Sequence, residues 1–162
     1  MIVGELKPLE EIIEMIEGHR PLLVLACGGC TSICLAGGQR EALQLEQTLR
    51  EKLGEQGKEF DAQVATVERQ CNENYFFELD ELAPRFAAIL STACGAGVQF
   101  VAERYPQIPV LPALNTSFVG YDRDVGWYEE NCRTCGDCVL GAANAARGAR
   151  VVGLDSSPDM IA

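Results

Sequence analysis

The run PLLVLA at positions 21–26 does most to limit the fold of this chain. It is continuously apolar, far too short to cross a membrane, and closed by Pro21 before it and glycines after it, as expected of a strand buried on both faces. Such strands belong to parallel sheets covered by helices, and the flanking sequence supplies the helices. After Pro8, residues Leu9, Ile12, Ile13 and Ile16 follow a helical period with Gly18 as the stop. Beyond the apolar run, Ala42, Leu45, Leu49 and Leu53 mark one face of a helix over 39–53, with Gly54 and Gly57 ending the pattern.

The same alternation continues. FDAQVATVE is alternating and valine-rich, which predicts a second strand running into Arg69, Gln70 and Cys71; NYFFELDELAP predicts a short helix ending near Pro84. FAAILSTA predicts a third strand running into Cys94, GAGVQFVAERYP a helix up to Pro106, and IPVLPAL a fourth strand whose prolines place it at a sheet edge. The fold class expected is therefore α/β, an open, mostly parallel sheet with flanking helices. Right-handed crossovers collect the strand-to-helix turns on one edge, where ligands bind in such sheets. Cys27, Cys71 and Cys94 follow three of the strands, and the order 2-1-3 brings them together there.

Past Asn115 no period is visible. Residues 116–141 read as a cysteine-rich, metal-organised loop region packed on the sheet edge, with a short helix from Val139. Residues 142–162 read as an atypical C-terminal segment forming a strand and turn, all within a single α/β domain of 162 residues.

Aspartate and glutamate outnumber lysine and arginine 24 to 13, for a formal charge of −11, which argues against nucleic acid or an anionic membrane as a partner. The N-terminus is an acidic amphipathic pattern and not a signal peptide, and a cytoplasmic protein is expected. That compartment keeps thiols reduced, so eight cysteines point to metal or catalytic chemistry rather than disulfides.

The cysteines form two triads. CRTCGDC sets Cys132, Cys135 and Cys138 at the C-x2-C-x2-C spacing by which three thiolates hold one 4Fe-4S cluster while a remote cysteine gives the fourth bond. C-x2-C hooks also serve zinc, so the metal stays open. CGGCTSIC offers Cys27, Cys30 and Cys34, with Gly28, Gly29, Gly37 and Gly38 allowing the chain to wrap tightly and direct N–H groups at sulfur. Two triads need two more ligands, and Cys71 and Cys94 remain. A thioredoxin-type dithiol at Cys27 and Cys30 leaves the third cysteine and the second triad unexplained. The GAG after Cys94 is only a partial phosphate-loop fingerprint. The one histidine, His19, falls on the opposite edge, so a zinc site with histidine is not expected. Arg69, Gln70, Asn115 and Thr116, at strand ends, are candidate donors around the metal ligands.

The stretches GELKPLEEI, CGGCTSICLAGG, VERQC, STACGAGVQFVAERYP, PALNTSFVG and CRTCGDCVL, in order over about residues 1–140, resemble the MetV-type subunit of methylenetetrahydrofolate reductase from acetogenic and related anaerobic bacteria. The resemblance implies a small iron-sulfur protein that passes electrons to the flavin of a MetF-type partner and does not itself bind the folate. There methylenetetrahydrofolate becomes methyltetrahydrofolate, in the methyl branch of the acetyl-CoA pathway. Further electron-transfer subunits would join the complex. Zinc has also been associated with these enzymes. The end of the chain departs from the family: a further cysteine-containing tail is missing, and GARVVGLDSSPDMIA locally resembles the ribose-binding segment of methyltransferases, with Asp155 in the acidic position.

The expectation is thus a subunit with one or two 4Fe-4S clusters, zinc at one site being the alternative, and no acid, base or nucleophile of its own. Cys27, Cys30, Cys34 and Cys94 would form one site and Cys132, Cys135, Cys138 and Cys71 the other. A zinc-stabilised docking subunit without redox activity is the rival reading.

Overall fold

The computed structural model describes residues 1–132. Their elements are β1 (Ile2–Leu6), α1 (Leu9–Ile16), β2 (Leu22–Cys27), α2 (Cys30–Ile33), α3 (Gln39–Glu55), β3 (Ala62–Val67), α4 (Phe77–Leu82), β4 (Ala88–Ser91), α5 (Gly95–Arg104), β5 (Val110–Pro112), β6 (Leu114–Asp124) and β7 (Trp127–Cys132). Short 3-10 turns lie on either side of α4. The chain divides into two compact units, one of Gly4–Thr116 and the other of Met1–Val3 with Ser117–Ala162.

The larger unit carries a four-stranded sheet in the order β3-β2-β4-β5, all neighbours parallel. β2 is buried at every residue. Its side chains alternate between faces, as a strand requires, and each face has its own core. Leu22, Val24 and Ala26 pack with Ile12 and Ile16 of α1 and with Ala42, Leu45, Leu49 and Leu53 of α3. Leu23 and Leu25 pack with Phe76, with Leu79 of α4, and with Val101 and Tyr105 at α5. Helices therefore cover both faces, and burying each leucine contributes roughly 1.5–3 kcal/mol. α3 continues through Gly54 to Glu55, and Gly57 at φ +68 ends it, with the Lys58 amide donating to Leu53 O at 2.9 Å.

The parallel sheet, the central position of the PLLVLA strand between β3 and β4, and the edge position of the proline-containing β5 match the sequence expectation. Two elements do not. β1 lies within residues that carried no strand prediction, where the helical pattern after Pro8 dominates. Residues 116–132, within the region read as a metal-organised loop, form most of the antiparallel pair β6 and β7. Register shifts at Val119/Gly120 and at Asp122/Asp124 break the alternation, and β6 is mostly exposed, so no period-two signal survives in the sequence. Val125 and Gly126, the latter at φ +77, make the turn, and Asp124 Oδ1 accepts from the Val125 amide at 2.7 Å. In the smaller unit β1 begins beside β6: the Met1 ammonium donates to Gly120 O at 2.6 Å and the Gly120 amide to Met1 O at 2.9 Å. The predicted helix from Val139 and the C-terminal strand and turn lie outside the described residues, as do Cys135, Cys138 and Asp155. Among the described residues no helix is long and apolar enough to cross a membrane.

Candidate metal centre at the carboxyl edge of the sheet

Because β2, β3 and β4 run parallel, their C-terminal ends open on one edge. Cys27 closes β2, Cys71 lies four residues past the end of β3, and Cys94 is the residue before α5. α2 follows at once from β2, so Cys30 and Cys34 lie on a tight turn at the same edge. Gly28 and Gly29 allow this turn to lie against the neighbouring one. The Gly28 amide donates to Val67 O at 2.9 Å, and a Cβ on Gly28 would stand 3.3 Å from Glu68 O. A Cβ on Gly29 would stand 3.6 Å from Cys27 Sγ.

Cys27, Cys30, Cys34, Cys71 and Cys94 form no disulfide. Cys27 and Cys34 are buried, Cys30 and Cys94 half-buried, and Cys71 exposed. Burial pushes the Cys94 thiol up. The backbone N–H groups of Gly97 and Ala96 in the first turn of α5 oppose the rise, and the nearby Cys30 and Cys27 thiols add to it. None of those amides closes a capping hydrogen bond on the sulfur. Burial likewise raises Cys34, whose Sγ donates to Gly4 O at 3.7 Å and to Thr31 O at 3.5 Å.

Cys27, Cys30 and Cys94 are thus electrostatic neighbours, and Cys34 feels Cys30. Among the described residues no group of three or more Cys, His, Asp or Glu side chains is placed to hold an ion. Ligation at this edge therefore requires thiols to turn from their present directions, and Cys34 has to leave Gly4 O and Thr31 O. The donor chemistry suits a thiolate-ligated centre: free thiols on one edge, a glycine turn laid close to a sulfur, and the buried Thr31 Oγ1, which has no hydrogen-bond partner here.

The expected surrounding donors divide. Thr116 Oγ1 accepts from the Gly95 amide at 3.2 Å, beside Cys94, and Arg69 lies alongside the Gly29 turn. Gln70 does not serve sulfur: its amide is committed to Leu25 O and to Ser91. Asn115 is placed by its backbone, its carbonyl facing Gly4. Ser91 and Thr92 escaped the sequence reading. Their signal was the small polar pair closing the otherwise apolar FAAILSTA.

Residues 111–146 match the protein family described as methylene-tetrahydrofolate reductase C terminal. The matched segment starts within β5, contains β6 and β7, and includes all of the second triad, Cys132, Cys135 and Cys138. It relates that part of the chain to methylene-tetrahydrofolate reductase. No curated protein and no solved structure matches the chain.

Proposed function

We propose that this chain is a MetV-type iron-sulfur subunit that delivers electrons to the flavin of a methylenetetrahydrofolate reductase partner. The observation that carries the reading is the gathering of Cys27, Cys30, Cys34 and Cys94 at one sheet edge within one unit, in a chain whose second cysteine triad falls inside a reductase-related segment. Cys27, Cys30, Cys34 and Cys94 would hold one centre; Cys132, Cys135 and Cys138 would contribute to the other. When bound, such clusters supply one-electron transfer, with potentials set by burial and by hydrogen bonds to sulfur.

The chain's own residues do the holding. The Gly28 and Gly29 turn lets backbone approach sulfur, the first turn of α5 presents N–H groups towards Cys94, and burial keeps Cys27 and Cys34 away from water. The formal charge of −11 fits docking on a basic face of a protein partner.

Anaerobic production of the full chain with iron and sulfide is the test. Stoichiometric iron and acid-labile sulfide, visible absorption that bleaches on reduction, and electron transfer to a flavoprotein reductase are expected. A colourless protein with stoichiometric zinc and neither iron nor sulfide would overturn the redox reading and leave the zinc docking role.

A further inference from the structure

We propose that Gln70 is a positioning residue that sets the cysteine-bearing segments of the sheet edge relative to one another, through a directional chain of buried hydrogen bonds. The inference rests on the reading of Cys27, Cys30, Cys34 and Cys94 as ligands.

Gln70 is 0% exposed, although it is a large polar side chain at the start of a surface turn. Its Nε2 donates to Leu25 O at 2.7 Å, and its Oε1 accepts from Ser91 Oγ at 2.6 Å. The direction is fixed by chemistry: Leu25 O only accepts, so the amide nitrogen faces it, and the amide oxygen then requires a donor, which Ser91 supplies. Ser91 Oγ in turn accepts from the Ala93 amide at 3.2 Å. One side chain from the turn after β3 thereby grips β2 two residues before Cys27 and β4 three residues before Cys94. Gln70 is also the residue before Cys71 in the chain.

Thr92 extends the chain of bonds to the remaining segment. Its Oγ1 donates to Gly37 O at 2.7 Å, and that carbonyl also accepts the Cys27 amide at 3.0 Å. The fit around this bracket is tight: a Cβ on Gly37 would stand 1.8 Å from Thr92 O, and one on Gly97 would stand 3.0 Å from Gln70 Cβ. Leu25 O also accepts the Thr92 amide at 3.0 Å, so glutamate at position 70 would set a second oxygen against an already paired carbonyl, and an apolar side chain would leave the Ser91 hydroxyl proton without its acceptor. Few residues other than glutamine fill the place.

Removing one partner of a buried polar pair strands the other, whereas removing both is close to neutral for stability. The double variant Gln70→Met with Ser91→Ala removes the bridge from both sides, leaving Leu25 O with the Thr92 amide and only the Ala93 amide without its hydroxyl partner, and Leu79→Ala, on the buried face of α4, controls for lost stability alone. The first readout uses the metal-stripped full chain under reducing, anaerobic conditions and follows alkylation of each cysteine by mass spectrometry. In the double variant, alkylation of Cys27, Cys34 and Cys94 rises several-fold over the parent, while the exposed Cys71 keeps its rate. In Leu79→Ala the pattern among the cysteines stays parental.

The second readout is iron held against a chelator after loading with iron and sulfide, which falls by about tenfold in the double variant. Parental alkylation rates in the double variant, or the same rise in Leu79→Ala, overturn the role given to Gln70. A parent chain that takes up no iron and sulfide overturns the ligand reading instead, and the alkylation contrast still decides on Gln70.

Discussion

The α/β unit and the β6–β7 hairpin are held by different forces. In the first, short strands are sealed between two apolar cores, and Phe76, Leu23, Leu49 and Ile89 are each 0% exposed. In the second, one long strand pairs with a shorter partner through two register shifts, with Val125 in the turn 88% exposed and Trp127 at the start of β7 70% exposed. The hairpin relies on its ladder and on surface pairs: Arg123 meets Glu129, and its guanidinium lies 4.6 Å over the Tyr121 ring. Pairs of that kind contribute roughly 0.2–1 kcal/mol each, and the small sheet β1-β6-β7, with β6 mostly exposed, is weakly held. The cysteines of the sheet edge stand on a scaffold with an apolar core on each face, whereas Cys132 ends a strand that is mostly exposed.

Truncations test that contrast most strongly. Phe76→Ala removes a ring that packs against Phe100 and Tyr105 and should cost about 3–5 kcal/mol in urea unfolding followed by circular dichroism. Trp127→Ala should move the midpoint by no more than about 0.5 kcal/mol. Trp127 is the chain's single tryptophan, so its fluorescence reports the hairpin alone. That signal should change at a lower urea concentration than the circular dichroism. Coincident transitions would mean that the hairpin shares the stability of the sheet.

Two glycines sharpen the same comparison with a smaller effect. A Cβ on Gly37 would stand 1.8 Å from Thr92 O, and one on Gly120 would stand 2.1 Å from Glu129 O, backbone in both cases. Gly37→Ala should destabilise the whole α/β unit by about 1–3 kcal/mol, because the core does not yield. Gly120→Ala should instead open β6 and β7 locally, seen as faster amide exchange there with an unchanged circular dichroism midpoint.

The same division governs what the sequence revealed. β2, α3 and β4 were legible because full burial writes a continuous apolar run or a clean helical stripe. The strand ends alone place Cys27, Cys71 and Cys94 at one edge. β6 was not legible, since its bulges and exposure erase the alternation. β1 was hidden beside a stronger helical pattern, and with it the bond from Cys34 to Gly4 O. Gln70, a candidate donor around the metal ligands from its place at a strand end, bonds elsewhere because its partners depend on register: Leu25 stands opposite Ser91 only once β2 and β4 are paired.

The smallest predicted effect concerns an ion pair that ties α4 to α5. Arg104 Nε and Nη2 donate to Asp80 at 3.1 and 2.7 Å, and the Tyr105 hydroxyl donates to Asp80 Oδ1 at 2.8 Å. The Arg104 guanidinium holds the Asp80 carboxyl below the usual carboxylate range, with the Tyr105 hydroxyl helping. A carboxylate with a depressed folded-state pKa stabilises the fold above its unfolded pKa of about 4, and that contribution disappears as pH falls through the folded value. The Tyr105 phenol moves the other way: burial, then the Asp80 carboxylate, raises it, so its contribution is complete below about pH 10 and fades in more alkaline solution. Asp80→Asn should therefore lower the urea midpoint slightly at neutral pH, and parent and variant should converge as the solution is acidified. The difference stays small because the Arg104 and Asp80 side chains are 47% and 37% exposed and water screens them. A gap between the two proteins that widens towards acid would mean that the pair does not stabilise the α4–α5 packing.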